Sequence, residues 1–412
     1  MKSKTHSFIC IEPYTHIEVV KDNILLYNQL TGFFYEESKK EVIDIVRRLN
    51  NDNKVTVAYL TENELNNKNI KDFISNLRKY YLGDLIQAEK MPIQVSPILK
   101  IENRYETKEE DQNILSNLLE LSIYVNNYDA NKYTTKFLHM NKQFCSNSSG
   151  ESKNNLHFKD IVDLIQESKK GFLSKINILG GNIFEYIQYD ELINYLNSLK
   201  QVKDYYLYYK DDIRTSKISM IESNSNSNIK LLIDFPIQED KLIKVSKYFK
   251  EFRIALTAVF IIENEKDLKS ADKLSVKYSF DSTQYNPYYN SSNLDFFKTH
   301  IFIDKEDIIG SKPTKNDLFT NQTINSHYFG KLIVSSNGDI YSNPNLPKIG
   351  IIKDSIYDIV FKSLRYKSSW MLLRQNVFPC NQCVYRLFCP PISNYEYNIG
   401  QNNLCTIKTF VN

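Results

Sequence analysis

The chain opens on alternating apolar and polar positions. "THIEVVKD" and "NILLYNQLTGFFYE" are rich in β-branched and aromatic residues, with Asp22-Asn23 between them as a turn, and they predict strands. The period then changes. "SKKEVIDIVRRLNN" places Val42, Ile45, Val46 and Leu49 at helical spacing, and Ser38 with Glu41 makes a capping box. "TENELNN" and "NIKDFISNLRKYYLGDLI" predict two more helices. A small sheet followed by three helices predicts a winged-helix-like α+β domain over residues 1–105. "MPIQVSPILKI" and the charged "ENRYETKEEDQ" then read as a linker.

Strand-like and helix-like patterns alternate from about 112. The predicted strands are "LELSIYVNN", "KINILGG", "DYYLYYK", "NIKLLIDFP", "FRIALTAVFII" and "SVKYSFD". The predicted helices are "HFKDIVDLIQESKKGF", "YDELINYLNSLK", "EDKLIKVSKYFKEF" and "NEKDLKSADKL". Such alternation implies right-handed βαβ crossovers, hence an α/β unit with a parallel sheet or barrel over 112–325. "SNSNSN" at 223–228 is a polar loop within it. A third pattern begins at 326. "YFGKLIVSSNGDIYSN" reads as a hairpin turning at Asn337-Gly338, and "SIYDIVFKSLRYKSSWMLLRQ", with the only tryptophan, reads as helical.

Composition narrows the function classes. With 412 residues the chain exceeds what one core usually holds, so two or three domains are expected. The net charge is +3 and the pI near 8.2, too balanced to argue for nucleic acid or an anionic membrane. No stretch reaches the length of a membrane span, and the N-terminus lacks the apolar core of a signal peptide. A cytoplasmic protein is expected. There, clustered cysteines read as metal ligands or catalytic thiols before disulfides.

Four of the six cysteines fall within residues 380–405, spaced C-x2-C-x5-C-x15-C as Cys380, Cys383, Cys389 and Cys405. C-x2-C lets a tight turn point both sulfurs at one ion or one cluster face. Four thiolates complete a tetrahedral zinc site or hold a [4Fe–4S] cube, and spacing alone does not choose between them. Four unrelated buried thiols are the bland alternative, which the density of the cluster opposes. Cys145 stands alone and reads as a small buried hydrophobe. The six histidines form no ligand-spaced pair.

The segment resembles the SPASM domain, the C-terminal auxiliary-cluster module of radical SAM peptide-modifying enzymes. Gly338 fits that module's glycine, and Cys380, Cys383, Cys389 and Cys405 fit the four ligands of its outer cluster. The inner-cluster positions fall on Asn343, Ser393 and a cysteine-free window at 322–328 that holds only His327 as a possible donor. The resemblance thus implies one complete cluster site and one lost. His327 reads as surface or packing.

The radical SAM motif itself, C-x3-C-x2-C, occurs nowhere in the chain. Its register after the first barrel strand can be laid on Ala130, Thr134 and Phe137, none of which ligates iron. Gly180-Gly181-Asn182, after the second strand, matches the glycines of the family's cofactor-binding turn but carries Asn182 in place of the acid. The chain therefore resembles pseudo-radical-SAM/SPASM proteins of ribosomal peptide maturation systems of the Bacteroidales type. The fold this implies is a degenerate radical SAM partial (β/α) barrel with the winged-helix-like domain before it and a SPASM domain over 326–412. The first domain is similar to PqqD-like leader-recognition domains, which take a leader peptide as an added strand.

The implied protein is a catalytically inactive homologue holding one [4Fe–4S] cluster, with zinc as the alternative, and not expected to bind S-adenosylmethionine. Its implied partners are a precursor peptide leader and a radical SAM peptide maturase. Two alternatives stand beside it: a zinc-stabilised peptide-binding scaffold, and a redox partner using the remaining cluster.

Overall fold

The computed structural model describes residues 5–50, 56–92, 108–126, 136, 140, 142–144, 155–221, 226–278, 280–365 and 368–407. Most of the expected linker lies outside these residues, as do Ala130, Thr134, Phe137 and Cys145.

Six strands build the N-terminal unit: β1 (His6–Ile11), β2 (Thr15–Val20), β3 (Asn23–Asn28), β4 (Phe33–Glu37), β5 (Val57–Leu60) and β6 (Gly83–Ala88). They form two antiparallel sheets, ordered β5-β1-β6 and β2-β3-β4. Helices α1 (Lys40–Leu49), α2 (Glu62–Asn66) and α3 (Lys68–Lys79) accompany them. The predicted apolar stripe of α1 is buried with Phe73 and Leu77 of α3 against Ile9, Ile24 and Leu26.

Two sequence expectations fail here. Helix α1 has no Ser38–Glu41 box, because Lys39 is its N-cap and has no side-chain cap bond. The Glu37 carboxylate at the end of β4 accepts from the Ser38 and Lys39 amides instead (2.9 and 3.2 Å). The third helix also stops at Lys79, and "GDLI" belongs to strand β6, paired along β1.

Six parallel strands follow in sequential order: β7 (Glu120–Tyr124), β8 (Lys175–Leu179), β9 (Val202–Tyr208), β10 (Ser227–Ile233), β11 (Ala255–Ile262) and β12 (Ser282–Pro287). Helices α4 (Phe158–Ser168), α5 (Tyr189–Asn197), α6 (Thr215–Ile218), α7 (Glu239–Glu251) and α8 (Glu265–Tyr278) lie between them in the chain. The α/β expectation holds, with one strand misplaced. "SVKY" finishes α8, and the strand is the polar "STQYNP", which takes its backbone partner from β11.

Three short helices come next, α9 (Leu294–His300), α10 (Lys305–Ser311) and α11 (Lys315–Thr323). The expected hairpin then forms from β13 (Lys331–Val334) and β14 (Asp339–Tyr341), with Gly338 at φ +86° in the turn. Strand β13 runs parallel to β7, so the hairpin and β15 (Gly350–Ile351) extend the same sheet to nine strands. Of the long helix expected at 355–375, among the described residues only α12 (Ile356–Ser363) is α-helical. Two 3-10 turns follow, Ser369–Met371 and Arg374–Asn376. The last helix is α13 (Asn394–Ile399).

Candidate metal centre

A 3-10 turn begins the cysteine segment. The Cys383 amide donates to the Cys380 carbonyl (3.0 Å), which folds C-x2-C into one tight turn. The Cys389 amide reaches back to Tyr385 (3.2 Å), so Cys383–Cys389 is a compact loop with a thiol at each end. Helix α13 then carries the chain away, and Gly400, at φ +76°, caps it and turns it back. Cys405 is pinned from outside the segment by a bridge to Ile303, in which Ile303 donates to Leu404 and Thr406 donates to Ile303 (both 3.0 Å).

These turns bring all four predicted ligands to one place. Cys380, Cys383, Cys389 and Cys405 line a single hollow of about 380 Å³, counted with its open mouth, whose wall also includes Arg374 and Arg386. All four are free thiols; Cys380 and Cys389 are buried, and Cys383 and Cys405 half-buried. Burial raises the Cys383 thiol to about 11, with Cys405 and Cys380 adding to the rise. Burial also pushes up Cys380 and Cys389. Burial opposes the thiolate form, with Arg374 acting against that effect of burial, and a metal or cluster would carry the charge of four thiolates in this hollow.

The surroundings suit thiolates. The Arg374 guanidinium donates to Cys380 Sγ (3.5 Å) and the Asn403 side-chain amide to Cys405 Sγ (3.4 Å). Among the described residues, no three His, Cys, Asp or Glu side chains converge as ligands of a single ion. The thiols stand around a hollow. Four thiols so placed can serve a cluster, which carries its ligands on separate corners, or one tetrahedral ion.

Hydrogen bonds take up much of the inner-cluster positions, although the buried Asn343 Nδ2 has no partner among the described residues. Asn343 is fully buried and its Oδ1 accepts the Asn345 amide (2.7 Å). Ser393 is the N-cap of α13 in a capping box with Glu396. Asn325, in the cysteine-free window, donates to the Leu372 and Ile392 carbonyls (both 3.0 Å), and Tyr328 and Asn345 donate to Asn394 Oδ1 (2.8 and 3.0 Å). His327 is exposed and lies edge-on to Tyr328, as a surface or packing residue would.

Gly180 and Gly181 both have positive φ. A side chain at Gly180 would meet the Asn126 carbonyl at 2.3 Å. Asn182 caps the turn that follows, accepting from Phe184 (3.1 Å) and donating to Asp212 O (3.1 Å). Its side-chain amide therefore ties this turn to the backbone at Asp212, after β9.

Sequence reasoning missed the buried charges around the hollow. Arg374 pairs with Glu396 at 2.8 Å, their side chains 9% and 3% exposed. Arg386 pairs with Glu18 of β2 at 2.5 Å. The partners lie 22 and 368 positions apart, so no local pattern announces either pair.

No family model matches the chain, and no curated protein matches it. Among solved structures, SuiB of Streptococcus suis bound to its precursor peptide SuiA aligns over 96% of this chain and 97% of that one. The identity is 15% and the TM-score 0.48. SuiB bound to S-adenosylmethionine aligns over the same shares at 14% identity and a TM-score of 0.47. A further structure of Streptococcus suis SuiB aligns over 97% of this chain and 100% of that one, at 15% identity and a TM-score of 0.48. No helix among the described residues is long and apolar enough to cross a membrane.

Proposed function

We propose that this chain is a catalytically inactive relative of radical SAM/SPASM peptide-modifying enzymes. It holds one [4Fe–4S] cluster on Cys380, Cys383, Cys389 and Cys405. It binds the leader of a ribosomally made precursor peptide, an active maturase, or both. The observation that carries the reading is the contrast between two ligand sets. Four thiols surround one hollow, while Asn343 and Ser393, where the resemblance implies a second set, are committed to a backbone turn and a helix cap.

The absent C-x3-C-x2-C motif supports inactivity, since adenosyl-radical chemistry needs three thiolates that leave one iron open. When bound, a four-cysteine cluster supplies one-electron transfer. The chain's own contribution is to enclose it, with Arg374 and Asn403 directed at sulfur. The antiparallel β2-β3-β4 sheet supports peptide capture by strand addition, since among the described residues β4 pairs on one side only, with β3.

Anaerobic purification with iron, sulfide and zinc counted, followed by pull-down with the maturase and precursor, tests this function. About four irons and four sulfides per chain and co-purification of either partner are expected. Stoichiometric zinc without iron leads instead to the zinc scaffold. The Cys383→Ala variant should lose the metal; unchanged metal content in that variant sinks both metal readings.

A further inference from the structure

Strand β3 is buried on both faces. Ile24 and Leu26 enter the core of the N-terminal unit. Leu25 and Tyr27, on the opposite face, enter a second core with Ile308, Leu318, Tyr385, Leu387, Phe388 and Cys389. The Tyr27 ring meets Phe388 edge-on at 5.1 Å, and its hydroxyl donates to the Pro313 carbonyl (2.9 Å). The loop that supplies two of the four thiols is therefore also the surface on which the N-terminal sheet rests.

A polar contact reinforces the apolar one. Arg386 reaches from the loop to buried Glu18 on β2 through Nε (2.8 Å) and Nη2 (2.5 Å), and it anchors to the Asn381 carbonyl behind it (3.0 Å). His16 stands 3.4 Å from the same carboxylate and packs edge-on to Phe388. Lys21 donates to Gln382 (2.9 Å), between the first two thiols. The rebuilt asparagine site has other neighbours. Its described bonds run to Lys142, Leu372 and Ile392.

We infer that the retained metal site is the seat of the N-terminal unit. A loaded site fixes the Cys383–Cys389 loop through its two end thiols, and the fixed loop presents Tyr385, Arg386 and Phe388 to β2 and β3. Loading and docking are then one coupled equilibrium, and coupling is reciprocal: metal strengthens docking, and docking strengthens metal binding by the same factor. The inference rests on the metal reading proposed above. It gives that metal a mechanical role toward the domain assigned to peptide capture.

Hydrogen exchange on the full chain tests it, comparing the loaded protein with protein stripped by an iron chelator. Amides of Leu25–Tyr27 are expected to exchange at least about tenfold faster after stripping. Those of Val42–Leu49 in α1 should stay protected, showing that the unit itself remains folded. The reverse arm is Leu25→Ala, which leaves all four thiols in place and should release iron to the chelator several-fold faster than the parent.

Metal present, with exchange at 25–27 and the release rate of Leu25→Ala both unchanged, overturns the inference and leaves the metal reading standing. Protein that carries neither iron nor zinc overturns both. Should stripping also expose α1, the release rate of Leu25→Ala decides: faster release supports the seat, and unchanged release overturns it.

Discussion

Replacing Arg374 by Gln removes one half of a buried ion pair and should be among the most destabilising polar changes in the C-terminal region. Its guanidinium donates to Glu396 Oε1 (2.8 Å), to the Pro390 and Pro391 carbonyls and to Cys380 Sγ. Removing one partner of a buried pair costs about 3–5 kcal/mol, mostly because the other charge is left uncompensated. Glu396 keeps two donors, the Ser393 amide (2.9 Å) and hydroxyl (2.6 Å), so the lower end, about 3 kcal/mol, is expected. Glu396→Gln should cost less, about 1–2 kcal/mol, because the arginine left behind still faces two carbonyls and sulfur. Urea unfolding of the metal-loaded protein followed by Trp370 fluorescence reads this directly. Trp370 is fully buried in the same region, with its indole N–H on the Lys331 carbonyl (3.0 Å). At an m of about 2 kcal/mol per M, Arg374→Gln should lower the midpoint by about 1.5 M. A shift below about 0.5 M, or a larger effect from Glu396→Gln, refutes the claim that the pair is desolvated.

Burial raises the Cys10 thiol to about 11, with Asp84 and Glu12 adding to the rise. At pH 8 only about 0.1% of it is thiolate, so alkylation in the folded protein should be slow and should quicken about tenfold per pH unit toward 11. The same raised value makes Cys10's contribution to stability complete below the ordinary thiol range. That contribution is lost as pH climbs from about 9 to about 11, which thermal unfolding across that window checks. Gly180→Ala should cost about 3 kcal/mol or more, since φ is +104° and the new Cβ meets the Asn126 carbonyl; unchanged stability would contradict that crowding. Ser393→Ala removes the α13 cap and should cost about 1 kcal/mol by urea unfolding, with metal content unaltered.

The cysteine site was legible because its information is local. A C-x2-C turn closes through one backbone bond, and the spacing alone placed two thiols together. Its arginines were not legible, because Arg374 and Arg386 acquire meaning only from Glu396 and Glu18 in the fold. The parallel sheet was read from β-branched runs, and five of its six strands overlap those runs. The sixth failed because "SVKYSFD" carries the stronger strand composition, while the edge strand "STQYNP" is polar and largely exposed. At "GDLI" the helical spacing persisted past the true end of α3. A side chain at Gly83 would sit 2.4 Å from the Cys10 carbonyl, so pairing with β1 decides that segment where local propensity does not. The "ILLY" run in β3 carries a signal of its own: four apolar residues in a row predict a strand buried on both faces, and the second face meets the Cys383–Cys389 loop.

Whether the site is kept for electron transfer or for its mechanical hold on β3 can be separated by changing the redox state without changing the ligands. Reducing a four-cysteine cluster adds one negative charge and leaves every Cys–iron bond in place. An electron relay has to sense that charge in its partner's binding or turnover. A seat does not: Tyr385, Leu387 and Phe388 meet Leu25 and Tyr27 through apolar surface, which is indifferent to charge. Arg386 lines the hollow and is the docking group that feels this charge, but it stays bonded to Glu18 and to the Asn381 carbonyl while the apolar contact is unchanged. Exchange at Leu25–Tyr27 should therefore agree within about twofold between oxidised and dithionite-reduced protein, while removal of the metal changes it about tenfold or more. A redox-dependent change as large as that of removal would move the assignment from seat to relay, with β3 as the element that reads the charge.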